Sequence, residues 1–122
     1  MATGARGEGI LVVDGREHAV LLTMRALADA ERLTGKTVMQ LGQAAQSQAL
    51  GIGDLAALLH VGLEHARRDT RGGGRAVTIN DAYRIMEQLG FSKVAGVVLE
   101  AFAAVLSYDP DDEAEGADDP PD

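Results

Sequence analysis

The chain contains no cysteine and no tryptophan, only two Phe and two Tyr, and three prolines among its 122 residues. Without cysteine, disulfide frameworks, thiol catalysis and Cys-ligated zinc are excluded together, which fits a reducing cytoplasm. So few aromatic rings leave little surface on which nucleobases could stack. No stretch approaches the roughly 18 uncharged apolar residues of a membrane span, and the opening residues 1–9 are small and polar, unlike a signal peptide. These absences lead to the expectation of a soluble, cytoplasmic protein with one small core that needs neither disulfides nor metal.

The formal charge is −8, and it is concentrated at one end. Residues 109–122 carry Asp109, Asp111, Asp112, Glu113, Glu115, Asp118, Asp119 and Asp122 with no base, so the other eleven acids balance the eleven Lys and Arg of the body. All three prolines lie in this tail, which has no large apolar residue and is expected to be disordered. The expected organisation is a flexible N-terminus over 1–9, a folded domain over 10–108 and the acidic tail over 109–122.

Within the body, Ile10 to Val13 and His18 to Leu22 flank Asp14-Gly15, whose residues supply the positive φ that tight hairpins need. Both strands are apolar at nearly every position. This implies that both faces are covered or that one edge meets another subunit. Thr23 is expected to cap a helix from Met24 to Leu33 that stops at Gly35, and a shorter helix is expected from Val38 to Gln46. From Asp54, the expected N-cap, to Arg68, the residues Leu55, Leu58, Leu59, Gly62, Leu63 and Ala66 share one helical face, while Ala56, Ala57 and Val61 make the other apolar. This helix is expected at the centre of the core, with Gly62 at a close crossing with the last helix. Arg67, Arg68, Arg71 and Arg75 surround a mobile loop containing Gly72, Gly73 and Gly74. Thr78 to Asp81 resembles a capping box opening a helix that Gly90 ends, and Ser92 is expected to cap the final helix, Lys93 to Ser107. That helix carries only Lys93 and Glu100 as charges. Either it is a second core helix, or one of its sides is an oligomer or client surface. The fold class is therefore mainly α (α+β): an N-terminal β-hairpin followed by about five helices in a single domain.

Fragments of chemical motifs fail on spacing. Gly35-Lys36-Thr37 resembles the end of a phosphate-binding loop, but the position of its first glycine is Ala30 and the preceding element is a helix. His60 and His65 are five residues apart rather than the four of a zinc helix, and no nucleophile elbow or Cys–His pair exists. The expectation is a non-enzyme with no catalytic, metal or cofactor site and no small-molecule substrate. A terminal helix pair resembling a helix-turn-helix would present Lys93, Glu100 and valines to a groove that Arg, Asn and Gln normally read, so nucleic acid is not an expected partner.

The order of elements is itself distinctive: a hairpin with a D-G turn runs into the Met24 to Gly35 helix, and then into Leu55-Ala56-Ala57-Leu58-Leu59-His60-Val61-Gly62-Leu63 and a C-terminal helix pair. Over residues 9–107 it resembles the tail assembly chaperones of long-tailed phages and the related gene transfer agent family. The resemblance implies a cytoplasmic, oligomeric protein, absent from the mature virion, that binds and solubilises the apolar helical tape measure protein during tail assembly, with the tail tube protein as a further partner. The alternatives are a small DNA-associated regulatory protein and a structural tail or tail-tube component. On the chaperone reading, the oligomer or client surface comprises Val12, Val20 and Leu22 of the hairpin with Val94, Val97, Val98, Ala101, Phe102 and Val105 of the last helix. The core comprises Leu27, Leu55, Leu58, Leu59, Gly62, Leu63, Ile85 and Leu89.

Overall fold

The computed structural model describes residues 4–70 and 74–111. Strands β1 (Arg6–Val13) and β2 (Arg16–Thr23) form an antiparallel hairpin, followed by helices α1 (Met24–Thr34), α2 (Val38–Gln46), α3 (Ile52–Asp69), α4 (Ile79–Leu89) and α5 (Phe91–Leu106). A hairpin and five helices is the architecture expected from the sequence. Arg71, Gly72 and Gly73 of the expected mobile loop, residues 1–3 of the expected flexible N-terminus and residues 112–122 of the expected disordered tail lie outside the described residues.

Local chemistry sets most of the boundaries. Asp14 and Gly15 both take positive φ, 52° and 77°, which is the twist-compatible geometry of a two-residue hairpin. The Thr23 hydroxyl accepts the Ala26 N–H at 3.1 Å to open α1, and Gly35 closes that helix in the left-handed region with its N–H on the Glu31 carbonyl. Thr78 and Asp81 form the reciprocal capping box of α4. Thr78→Ala should remove about 1 kcal/mol of stability, read as a lower urea midpoint at unchanged slope.

Four local expectations need correction. β1 begins at Arg6 rather than Ile10, so residues 6–9 belong to the sheet and not to a flexible leader. The N-cap of α3 is Gly51, while Asp54 sits in the first turn and accepts Lys36 Nζ at 2.6 Å, tying the helix start to the α1–α2 connection. Ser92 does not cap α5: Gly90, at φ 91°, is at once the end of α4 and the N-cap of α5, without a side-chain bond. Gly62 does not mark a crossing of α3 with α5. A Cβ built there would lie 2.6 Å from Val20 Cγ1, so the missing side chain admits β2.

The core lies between the hairpin and the helices. Helix α3 packs on β2, α1 and α4, and α5 packs on β1. Leu55, Leu58 and Leu59 are fully enclosed, as are Val94, Val98 and Val105 of α5. Gly7 sets the distance between the strand and α5: a Cβ built on it would fall 1.8 Å from the Ala101 carbonyl oxygen, so the helix backbone rests directly on β1.

Candidate assembly surface

The strand period divides the hairpin into two unlike faces. Register pairs Gly7 with Leu22, Gly9 with Val20 and Leu11 with His18, and these residues share one face with Val13. Gly7, Leu11, Val13, Val20 and Leu22 of this face are buried against the helices. The opposite face holds Glu8, Ile10 and Val12 of β1 beside Leu21, Ala19 and Glu17 of β2. Ile10 is 54% exposed, Val12 48%, and Ala19 is exposed beside them. Hence, among the described residues, one face is covered along its length while the other is covered only at Leu21, and a β-branched pair stands half-exposed on it.

The rim of this open face is polar. Arg6 reaches along it, donating from Nε to Glu8 at 3.2 Å and from Nη2 to Asp69 at 3.1 Å, which fastens the start of β1 to the end of α3. Between the face and the last turn of α3 runs a groove of about 500 Å³ lined by Ile10, Ala19, Leu21, Ala66, Asp69 and Thr70.

A second, larger groove of about 1010 Å³ lies between the hairpin turn, α3 and α4, and contains Arg16, Arg67, Arg75 and Arg84. Three of these guanidiniums are held by carboxylates of the same domain. Glu64, buried although ionised, accepts Arg67 Nε at 3.0 Å and Nη2 at 2.5 Å, Arg68 Nε at 2.8 Å and the Val77 N–H at 2.8 Å. The Arg67 guanidinium beside it, supported by the Val77 and Arg68 donors, holds the Glu64 carboxyl down to about 2 against the opposing effect of burial. Arg67 also donates to the Gly74 carbonyl at 3.1 Å, so one carboxylate and one guanidinium anchor the chain on its return to α4. Asp81 takes both terminal nitrogens of Arg75 at 3.1 Å and Arg84 at 3.2 Å, and the Arg75 guanidinium, followed by the Thr78 N–H, keeps its carboxyl well below the usual carboxylate range. Two carboxylates thus hold four guanidiniums around the approach to α4.

The histidines go to separate partners. His60 Nε2 meets the Val77 carbonyl at 2.9 Å and His65 Nε2 meets Asp29 Oδ2 at 2.8 Å, one contact holding the α4 approach and the other joining α1 to α3.

The surface residues expected from sequence are distributed differently. Val12 stands exposed, and Val97 is half-buried against the core. Val20, Leu22, Val94, Val98, Ala101, Phe102 and Val105 are all buried in the main core, so none of these seven is available to a client in this fold. The physical reason is β1, which covers the α5 stripe through its glycine-bearing face. Leu27, Leu55, Leu58, Leu59, Gly62, Leu63 and Ile85 are buried, and Leu89 lies half-buried at the core margin. Ile10 and Ala19 were missed as surface residues. The signal for them was available, since Ile10 is two residues from Val12 on the same face and Ala19 is its cross-strand neighbour.

Comparison with known proteins yields one finding and two blanks. A family model described as phage tail tube protein, GTA-gp10, matches residues 6–107, from the first residue of β1 to the end of α5. No curated protein and no solved structure matches the chain. The match overturns the expectation of a tape measure chaperone, because the family it identifies is described by the tail tube, and the helix face assigned to the client is inside the fold. It upholds the wider expectation of a phage or gene transfer agent tail protein whose partners are other tail components. With every described strand and helix inside the matched span, this chain belongs to the phage tail tube protein, GTA-gp10, family.

Proposed function

We propose that the chain is a non-enzymatic structural component of the tail tube, built into the tail through the open face of its hairpin. The observation that carries this reading is the exposed Ile10–Val12–Ala19 face on a domain matched from β1 to α5 by the tail tube family. A solitary two-stranded sheet with one apolar face in water is a poor final state, and contact with another tail component removes that surface from solvent. The protein would be made in the cytoplasm and end in the assembled tail, not remain behind as a catalyst or carrier. Polar residues around the face, among them Glu8, Glu17 and Arg6, supply the rim that gives such a contact its register.

The double variant Ile10→Lys with Val12→Lys tests this directly. Both side chains face solvent, so the folded domain should change in stability by no more than about 0.5 kcal/mol. Co-expressed with the remaining tail genes, the variant should be absent from purified tails while the parent is incorporated. Normal incorporation of the folded double variant would remove the hairpin face from the account.

A further inference from the structure

The hairpin has an open edge as well as an open face, and the two are linked by backbone geometry. Val13 and Arg16 close the two-residue turn and are therefore a hydrogen-bonded pair. Bonded and non-bonded pairs alternate along an antiparallel ladder, so Leu11, Gly9 and Gly7 bond inward to β2. It follows that the N–H and C=O groups of Glu8, Ile10 and Val12 point away from β2, toward the outer edge of β1. Among the described residues the sheet has two strands, so no strand pairs with that edge.

The corresponding side of β2 is better protected. Helix α3 runs beside it, with Gly62 against Val20 and Leu22, and its last turns share a groove with Ala19 and Leu21. Leu21 is only 6% exposed although it points to the open face. β1 has neither a proline nor a lysine along its length, and its charges, Arg6 and Glu8, lie at one end and are paired with each other.

We propose that two copies of this chain pair through the outer edges of their β1 strands, antiparallel about a two-fold axis at Ile10, giving one four-stranded sheet. The register follows from charge and hydrogen bonding together. A centre at Glu8 would oppose Glu8 to its own copy, and a centre at Leu11 would oppose Glu8 to Asp14. A centre at Gly9 pairs Arg6 with Val12 and leaves its charge unmatched. The centre at Ile10 places Ile10 opposite Ile10 as a doubly bonded pair, Glu8 opposite Val12, and Arg6 opposite Asp14 of the second copy. The same pairing sets both Ile10 side chains and both Val12 side chains on one continuous face, doubling the apolar surface offered to another tail component. It stands on backbone geometry and register and does not require the tail tube reading.

The absence of cysteine makes the test clean. Sedimentation equilibrium of the full chain should give twice the 12.8 kDa of one chain, and Ile10→Pro, which removes only an edge N–H, should be monomeric at concentrations where the parent is dimeric. A short thiol-to-thiol cross-linker should join Ile10→Cys to itself. It should fail with Glu8→Cys alone or Val12→Cys alone, whose copies stand four residues out of register, yet join a mixture of the two. A monomeric parent overturns the proposal. So does an oligomer in which Ile10→Cys does not cross-link, the result expected of a head-to-tail contact. The exposed cysteine variants keep the test decisive even where Ile10→Pro fails to fold.

Discussion

Substituting Gly7 by valine is expected to lower the melting temperature by about 15 °C or more, the result of roughly 3 kcal/mol lost from a domain of this size. The cause is a backbone contact. A Cβ at position 7 would stand 1.8 Å from the Ala101 carbonyl oxygen and 2.6 Å from its carbonyl carbon, atoms of α5 that no rotamer change can move aside. Relief requires the helix to lift from β1, which opens the packing around Val98, Phe102 and Val105, residues that are otherwise enclosed. Valine's high strand propensity does not offset this, because propensity measures fit to a pleated surface and here the surface is already filled. The control is Ala19→Val, which places the same side chain on the open face of the partner strand and should change stability by no more than about 0.5 kcal/mol. Similar melting of the two variants would show that α5 does not rest on β1 as described.

The second large effect concerns Glu64. Glu64→Gln should cost about 2–3 kcal/mol at pH 7, because it removes the anion that accepts from Arg67, Arg68 and the Val77 N–H while leaving those donors in place. The effect depends on pH in a defined direction. A carboxyl whose pKa is lower in the folded than in the unfolded chain adds stability that is complete above the unfolded value and is lost as pH falls toward the folded one. For Glu64 that window runs from its ordinary value of 4.5 down to about 2. Urea unfolding of parent and Glu64→Gln should therefore differ most at neutral pH and converge near pH 2. Asp29, lowered by its bond to His65, and Asp81, lowered by Arg75, lose their contributions in the same direction and remain in both proteins, so the parent should still show acid destabilisation of its own. A gap between parent and variant that stays constant down to pH 2 would separate the loop from Glu64.

What could be read from the sequence was whatever is local. The Asp14-Gly15 turn, the Thr23 cap, the Gly35 stop and the Thr78–Asp81 box each depend on residues within four positions, and each is where the residue types imply. The errors arise where the decisive neighbour is distant. Gly7 is a poor strand former in isolation, so residues 6–9 read as a leader, and only the approach of Ala101 across the fold explains the glycine. Helix α5 is apolar on most sides, and such a helix cannot by its own pattern name the element that covers it. Gly62 was assigned to the wrong neighbour for the same reason.

The site follows the same division. Val12 was legible as a surface residue, whereas Val20 and Leu22, equally apolar, are interior because the register turns them toward α3. The part Glu64 plays in holding the return to α4 comes from Val77, thirteen residues away, a partner that no local pattern names. The order of elements was enough to reach the tail proteins of phages and gene transfer agents. It was not enough to separate a tape measure chaperone from a tube component, since both readings draw on the same apolar helices and differ in which surface is left open.

The most direct measurement is quantitative mass spectrometry of purified tails, with antibody labelling against this chain in electron micrographs. A structural tube component is expected in many copies per tail, with label distributed along the tube. Its complete absence from purified tails, with the protein remaining in the lysate, would contradict the account.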